Sequence, residues 1–358
     1  MNISEEKYMY RCIQLAKNGL GTTYPNPLVG SVIVSNGKII GEGWHFKAGS
    51  PHAEVNAIKS VRDKGILNKA TIYVSLEPCS HYGKTPPCAD LIVQSGIKNI
   101  VIGSLDPNPQ VAGRGVKKLI DAGCRVEVGV LEKECLELNK RFFTFHQQKR
   151  PYIILKWAET LDRFISPKNE TRTETKPVWI TNTYSRQIAH KMRGEEMAIM
   201  VGTNTVLQDN PSLTTRHWSG GNPTRVVLDR GLKIPPSSTI LDGKVKTYIF
   251  TENKEAHKSL PIKEKPKNNV HIEIDFNKSI AEQICNALYQ QGIQSLIVEG
   301  GSKTLQTFIN ENLWDEAFIF TGSTTFGQGI PAPSIKGSFV SEARLKGDSL
   351  KIFKNLNL

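Results

Sequence analysis

No apolar stretch in this chain approaches the roughly 18–20 residues that a bilayer-spanning helix needs. The N-terminus, MNISEEKYMY, has two early acids and no apolar core, so it does not read as a secretory signal. Cysteine is scarce: six scattered residues in 358 exclude a disulfide framework. A cytoplasmic protein without a membrane partner is expected. Internal repeats are missing, and low complexity is confined to a lysine-rich loop around 252–268. There is no G-x-G-x-x-G after a first strand with an acid some twenty residues on, which excludes a Rossmann domain. A basic block is also missing. Net charge is +12, but Lys and Arg outnumber Asp and Glu by 18 to 13 over residues 1–146 and by 28 to 21 beyond. An excess spread this evenly suits small phosphorylated molecules at least as well as a nucleic-acid groove.

The length exceeds what one hydrophobic core usually serves, about 250–300 residues, and 39% apolar content is ordinary for a globular chain. Two domains are predicted, 1–146 and 152–358, with 147–151 of the polar stretch HQQKRP as linker. In the first, Ser4 is placed to cap a helix over 5–18. LVGSVIV, Asn36-Gly37 and KIIGEGW read as a hairpin with a type I′ turn. A helix over 53–64 follows, then strands TIYVSLE, NIVIGSL and RVEVGV alternating with helices ADLIVQSG, RGVKKLIDAG and EKECLELNKRFF. In the second, the strand PYIILKWA leads to a polar excursion (166–177), an extended VWIT and a helix over 183–193. The strand MAIMVG and the loop TNTVLQDNPSLTTR come next. Strands TRVVLD, KTYIF and VHIEI, a helix SIAEQICNALYQQG, a strand SLIVEGG, a helix KTLQTFINEN and a strand EAFIFTG complete it. Alternation of this kind predicts two layered α/β domains. Cys12, Cys124, Cys135 and Cys285 lie on apolar periodic segments and read as buried thiols.

The remaining cysteines keep different company. His52 and Glu54 stand in PHAEVNAI, Cys79 and Cys88 in LEPCSHYGKTPPCADLI. One imidazole and two thiolates make three ligands for tetrahedral zinc and leave the fourth position to water, whose pKa zinc lowers to about 7. Glu54, two residues after the histidine and not a ligand, is then placed to move protons. H-x-E followed by P-C and a further Cys is the signature of zinc deaminases. The competing reading is a structural zinc, with His81 or His45 as fourth ligand; the glutamate has no role there.

In general zinc deaminases the two cysteines are two residues apart, whereas eight residues separate Cys79 from Cys88. That long loop, with PNPLVGSVIV (25–34) and DPNPQVAGRG (106–115), resembles the pyrimidine deaminase of the riboflavin pathway, which is fused to a reductase in one bifunctional chain. The resemblance covers residues 1–146. It implies a cytidine deaminase-like α/β/α layered domain with Asn26, His81, Lys84 and Asn108 in the substrate pocket, Lys84 toward a phosphate. From local chemistry alone, Asn26 reads equally as a turn former and Asp106 and Asn108 as helix caps. Gly83, Gly113 and Gly115 read as backbone requirements.

In the second half, LIVEGGSKTLQTFI (296–309) delivers Gly300-Gly301-Ser302 into a helix start, where backbone amides can hold a phosphate. With KWAETLD (156–162), VWIT (178–181) and VGTNTVLQDNPSLTTR (201–216), it resembles the reductase partner of the same family. That partner has a dihydrofolate reductase-like α/β fold and uses NADPH. The resemblance spans about 151–335. It implies Trp179, Thr205, Asp209 and Gly301, with Glu159 and Ser302, on the cofactor side. Arg193, Leu213, Arg216 and Glu299, with Lys156 nearby, fall on the sugar-phosphate side. Two arginines suit a phosphate, and a lysine or carboxylate near the sugar suits the proton that accompanies hydride addition. Three positions depart from the family pattern: Arg163 where glycine is usual, Pro177 where serine is frequent, and Glu159 where the residue is small. The family resemblance also implies a homo-oligomer, dimer or tetramer. The rival assignment is a nucleoside or RNA deaminase with a basic appended domain.

Overall fold

The computed structural model describes residues 3–80, 82, 86–107, 112–168, 175–255 and 266–356. The chain divides into two compact units, Met1–Lys149 and Arg150–Leu358.

The first unit runs α1 (Ile3–Ala16), β1 (Gly30–Ser35), β2 (Lys38–Trp44), α2 (Ala53–Ser60), β3 (Thr71–Leu76), α3 (Cys88–Gln94), β4 (Asn99–Ser104), α4 (Arg114–Asp121), β5 (Arg125–Val128), α5 (Glu132–Leu138) and α6 (Lys140–Gln148). The sheet order is β2-β1-β3-β4-β5, with β1 antiparallel to both neighbours and β3, β4 and β5 parallel. Positive φ at both Asn36 and Gly37 fits the expected hairpin turn. Side chains alternate across the strands, as a period of two requires. Ile33, Ile72, Val74, Ile100 and Ile102 pack under α2, α3 and α4, while Val32, Val34, Tyr73 and Val101 pack under α1 and α5. The layers are therefore α/β/α. Helix α1 begins at Ile3, one residue before Ser4, the expected cap. The single closing helix expected over 132–143 is two, broken at Asn139. Its carboxamide accepts from Leu28 N and donates to Leu28 O, both at 2.8 Å, a tie to a residue 111 positions away. Helix α6 reaches Gln148; within the second unit, Arg150 is buried against Asp315 (2.6 and 2.8 Å).

The second unit contains β6 (Tyr152–Glu159), β7 (Phe164–Pro167), α7 (Thr183–Glu195), β8 (Ala198–Gly202), α8 (Thr203–Asp209), β9 (Thr224–Leu228), β10 (Thr247–Thr251), β11 (Asn269–Glu273), α9 (Ile280–Gln290), β12 (Ser295–Glu299), α10 (Ser302–Asn310), β13 (Glu316–Thr321), β14 (Gly329–Pro331), β15 (Gly337–Leu345) and β16 (Asp348–Asn355). Nine strands form one sheet, β11-β10-β9-β8-β12-β6-β13-β16-β15. It is parallel as far as β13 and ends in the antiparallel hairpin β15–β16. Ile153, Leu155, Trp157, Met200 and Val298 face α9 and α10; Ile154, Ile199, Val201 and Ile297 face the side of α7 and α8. VWIT, read as an extended piece, carries no helix or strand; Ile180 is buried, and Val178 and Trp179 are exposed. Two segments differ from expectation. The stretch after β8, read as loop, opens with α8, whose β-branched residues have poor intrinsic helix propensity and which buried Val206 anchors. The hairpin β15–β16 turns on Lys346-Gly347, both at positive φ, and was not anticipated.

Candidate active sites

Strand β3 ends at Leu76 and feeds the loop carrying Cys79; His52 immediately precedes α2, and Cys88 is the first residue of α3. These three converge. His52 Nδ1 lies 3.3 Å from Cys88 Sγ and 3.7 Å from Cys79 Sγ, and the three ligand atoms fall within 4.8 Å of one another. Tetrahedral zinc with bonds of about 2.1–2.3 Å sets its ligands roughly 3.5–3.8 Å apart, so the donor set and its spacing fit the ion. The first amide of α3, Cys88 N, donates to Cys79 Sγ at 3.3 Å. Hydrogen bonding from the Cys88 thiol, with His52 and that amide, holds the Cys79 thiol down at about 4, while Cys88, the donor of the pair, is pushed up.

Glu54 sits in the first turn of α2, 3% exposed, outside the ligand cluster. Burial, then the Cys79 thiolate, raises its carboxyl to about 7; a bound divalent cation acts in the opposite sense. The structural-zinc reading loses one fourth ligand. His45 is buried with both ring nitrogens engaged, Nε2 with Asn26 Nδ2 at 3.0 Å and Nδ1 with Pro51 O at 3.2 Å. Asn26 thus has a defined partner, one that a turn former does not need. His81, Lys84 and Asn108 lie outside the described residues.

In the second unit the C-terminal ends of β6, β8 and β12 open into a cavity of about 830 Å³, the edge where parallel α/β sheets bind ligands. Ten of the eleven residues singled out in this half line it: Lys156, Trp179, Arg193, Thr205, Asp209, Leu213, Arg216, Glu299, Gly301 and Ser302. Glu159 does not. It follows Trp157 by two along β6 and so shares that face of the strand, where it is buried and accepts from Trp157 Nε1 at 2.8 Å. Arg163 lies 3.9 Å from it, so two departures from the family pattern meet. Arg163 takes φ 63°, a conformation that suits the glycine usual there.

At the centre, Glu299 accepts from Lys156 Nζ at 2.8 Å and from Arg193 Nη2 at 3.0 Å through both oxygens. Burial pushes its carboxyl up, but Arg193 and Lys156 outweigh that and hold it at about 2. Glu299 is therefore ionised and has no proton to give. Arg193, expected to face phosphate, spends donors on Glu299 and on Thr214 O (3.3 Å). Among the described residues, the Arg216 guanidinium bonds the hydroxyls of Ser212 and Thr214. Leu213, buried at φ 53°, forms wall between them.

His190 was not anticipated. It is buried one turn before Arg193 on α7, lines the cavity, and its Nδ1 accepts from Arg216 N at 3.1 Å. Burial, then Arg193 and Arg216, hold it down at about 4. Unfolded histidine titrates near 6.5, so between these values the unfolded chain binds more protons. This contribution to stability is full above about pH 6.5 and is lost as pH falls toward 4. Glu54, raised above its ordinary value, has the opposite sign. Thermal melts from pH 7 to pH 5 should therefore show a smaller loss of Tm for His190→Asn than for wild type; parallel melting curves would contradict this.

Gly300 and Gly301 both have positive φ (82° and 72°) before α10, and a Cβ on Gly301 would meet Thr205 Oγ1 at 3.1 Å. This glycine cradle at a helix N-terminus fits a dinucleotide phosphate. Gly301→Ala imposes a left-handed strain of about 1–2 kcal/mol; the expected result is a KM for NADPH raised roughly tenfold with ammonia release untouched.

Both halves have known counterparts. The cytidine and deoxycytidylate deaminase zinc-binding region matches residues 2–104, and the RibD C-terminal domain matches residues 151–355. A riboflavin biosynthesis protein RibD of Aquifex aeolicus (strain VF5) is 44% identical over 327 residues, 91% of this chain and 89% of the relative. A Thermotoga maritima diaminohydroxyphosphoribosylaminopyrimidine deaminase/5-amino-6-(5-phosphoribosylamino)uracil reductase superimposes with TM-score 0.87 at 40% identity, covering 98% of this chain and 99% of that one. Acinetobacter baumannii RibD does so with TM-score 0.86 at 32% identity, covering 98% of each. Fold and sites together define a bifunctional enzyme, a zinc-dependent deaminase followed by an NADPH-dependent reductase. The chain belongs to the RibD family of riboflavin biosynthesis proteins.

Proposed function

We propose that the first unit hydrolyses the ring amine of 2,5-diamino-6-(5-phosphoribosylamino)pyrimidin-4-one. The second unit then reduces the ribosyl group of the product, 5-amino-6-(5-phosphoribosylamino)uracil, to ribityl. The observation that carries this is the meeting of His52, Cys79 and Cys88 beside a buried carboxylate that is not a ligand. Zinc held by His52, Cys79 and Cys88 would supply an activated water near neutral pH. Glu54 takes that water's two protons in turn as its oxygen bonds the ring carbon, passing one to the ring nitrogen and the other to the amine, which leaves as ammonia when the C–N bond breaks.

In the second unit bound NADPH would supply a hydride for C1 of the ribosyl group. Lys156 gives the proton to the ring oxygen released when the C1–O bond breaks and the furanose opens. Arg193 holds Glu299, which holds Lys156. Arg216 lies close enough to Arg193 that burial and the neighbouring guanidinium lower its pKa; an anion there relieves the repulsion, and the substrate phosphate supplies one. We place Asn26, His81, Lys84 and Asn108 in the deaminase pocket, and Trp179, Thr205, Asp209, Gly301 and Ser302 along the cofactor. The protein works in the cytoplasm as a dimer or tetramer, on small molecules rather than nucleic acid. Among the described residues no helix is long and apolar enough to cross a membrane.

Removing zinc with a chelator tests the division of labour. Ammonia release is expected to fall to background and to return with added zinc, while NADPH oxidation on the deaminated substrate continues. Loss of both activities on chelation, or of neither, contradicts it.

A further inference from the structure

Glu77, two residues before Cys79, is buried, and its side chain has an unusual set of partners. Oε1 accepts from Gly115 N at 2.8 Å and Val116 N at 3.2 Å; Oε2 accepts from Gly113 N at 3.0 Å and Asp106 N at 3.2 Å. Three of these donors belong to the N-cap and first turn of α4, amides that a helix cannot satisfy internally. The fourth begins the segment leaving β4. The cap of α4 is thus a carboxylate from 36 residues upstream. Gly115 completes the junction, since a Cβ there would lie 2.1 Å from the Pro78 carbonyl oxygen. Strands β3 and β4 are parallel neighbours, and Glu77 N donates to Ser104 O. The segments leaving both strands therefore stand side by side at the sheet edge that presents Cys79.

We propose that Glu77 is a positioning residue of the deamination site: its one carboxylate clamps the α4 turn and Asp106, just beyond β4, onto the zinc-ligand loop, setting the wall that substrate meets. This rests on the deaminase reading of the His52–Cys88 site. Its role is not interchangeable with that of glutamine, which presents one oxygen and one NH₂ group. In Glu77→Gln one pair of buried amides therefore faces a donor.

The test uses the full chain loaded with zinc, wild type, Glu77→Gln and Gly115→Ala, the last pushing the same junction apart from the other side. Deaminase KM and kcat, zinc per chain and NADPH oxidation on the deaminated substrate are measured together. In both variants KM is expected to rise at least tenfold with kcat within about threefold, zinc retained and the reductase rate unchanged. A wild-type KM in Glu77→Gln overturns the proposal. So does a fall in kcat and zinc together at constant KM, which marks a prop of the fold. If wild type itself releases no ammonia, it is the deaminase reading that fails, and Glu77 falls only with it.

Discussion

Glu54→Gln should reduce ammonia release by about 10²–10⁴-fold, the range expected for removing a positioned acid–base group, and leave NADPH oxidation on the deaminated substrate at the wild-type rate. The substitution preserves volume and hydrogen-bonding shape. Glu54 lies outside the ligand set, so zinc per chain should stay at the wild-type level. Nor should folding suffer: Glu54 is 3% exposed and burial disfavours its charged form, a cost that a neutral amide does not carry. What the amide cannot do is accept a proton from water and pass it on. Ammonia release within a few-fold of wild type, with zinc bound, would mean that the proton travels another way.

Lys156→Met should give the mirror image: deamination intact and reduction lowered by a comparable 10²–10⁴-fold. The choice of lysine over glutamate follows from the pair itself. Glu299, held at about 2, has no proton to give at neutral pH. Stability should survive the change, because Glu299 keeps two hydrogen-bonded contacts from Arg193 at 3.0 Å when the lysine is gone. Breaking the group from the other side is different: Glu299→Gln leaves Lys156 and Arg193 together without their shared carboxylate, and removing one partner of a buried ion pair costs about 3–5 kcal/mol. Both sites of this group are only partly buried, so a melting shift at the lower end is expected for Glu299→Gln and almost none for Lys156→Met. Steady-state NADPH oxidation and thermal melts of the two variants separate the cases. Wild-type reduction by Lys156→Met would remove the lysine from the chemistry.

The zinc cluster was legible because its information is local: His52 and Glu54 are two residues apart, and the loop between Cys79 and Cys88 fixes its own composition. Most of the strands were legible for a similar reason, since parallel strands buried on both faces are continuous apolar runs. Elements that depend on distant partners were not. Asn139 breaks a helix for Leu28. Thr203 opens α8 against Asp229, at 2.9 Å, in a stretch whose propensity reads as loop. Glu159 matched a motif by position, yet its carboxylate is taken up by Trp157 Nε1 and it does not line the cavity. His190 carried one usable signal, its place one turn before Arg193, and Glu77 carried none, because its four partners lie 29 to 39 residues downstream. In each case the deciding contact lies outside the window that periodicity and capping rules inspect.

The most direct test of two successive reactions on one chain is to follow ammonia and NADPH in the same tube, starting from the diaminopyrimidine phosphate and zinc-loaded protein. Ammonia release should come first and NADPH consumption should follow, approaching one per ammonia. Glu54→Gln should stop both, and Lys156→Met only the second. NADPH consumed without ammonia release, or ammonia released with no later consumption by the wild-type chain, would contradict the assignment.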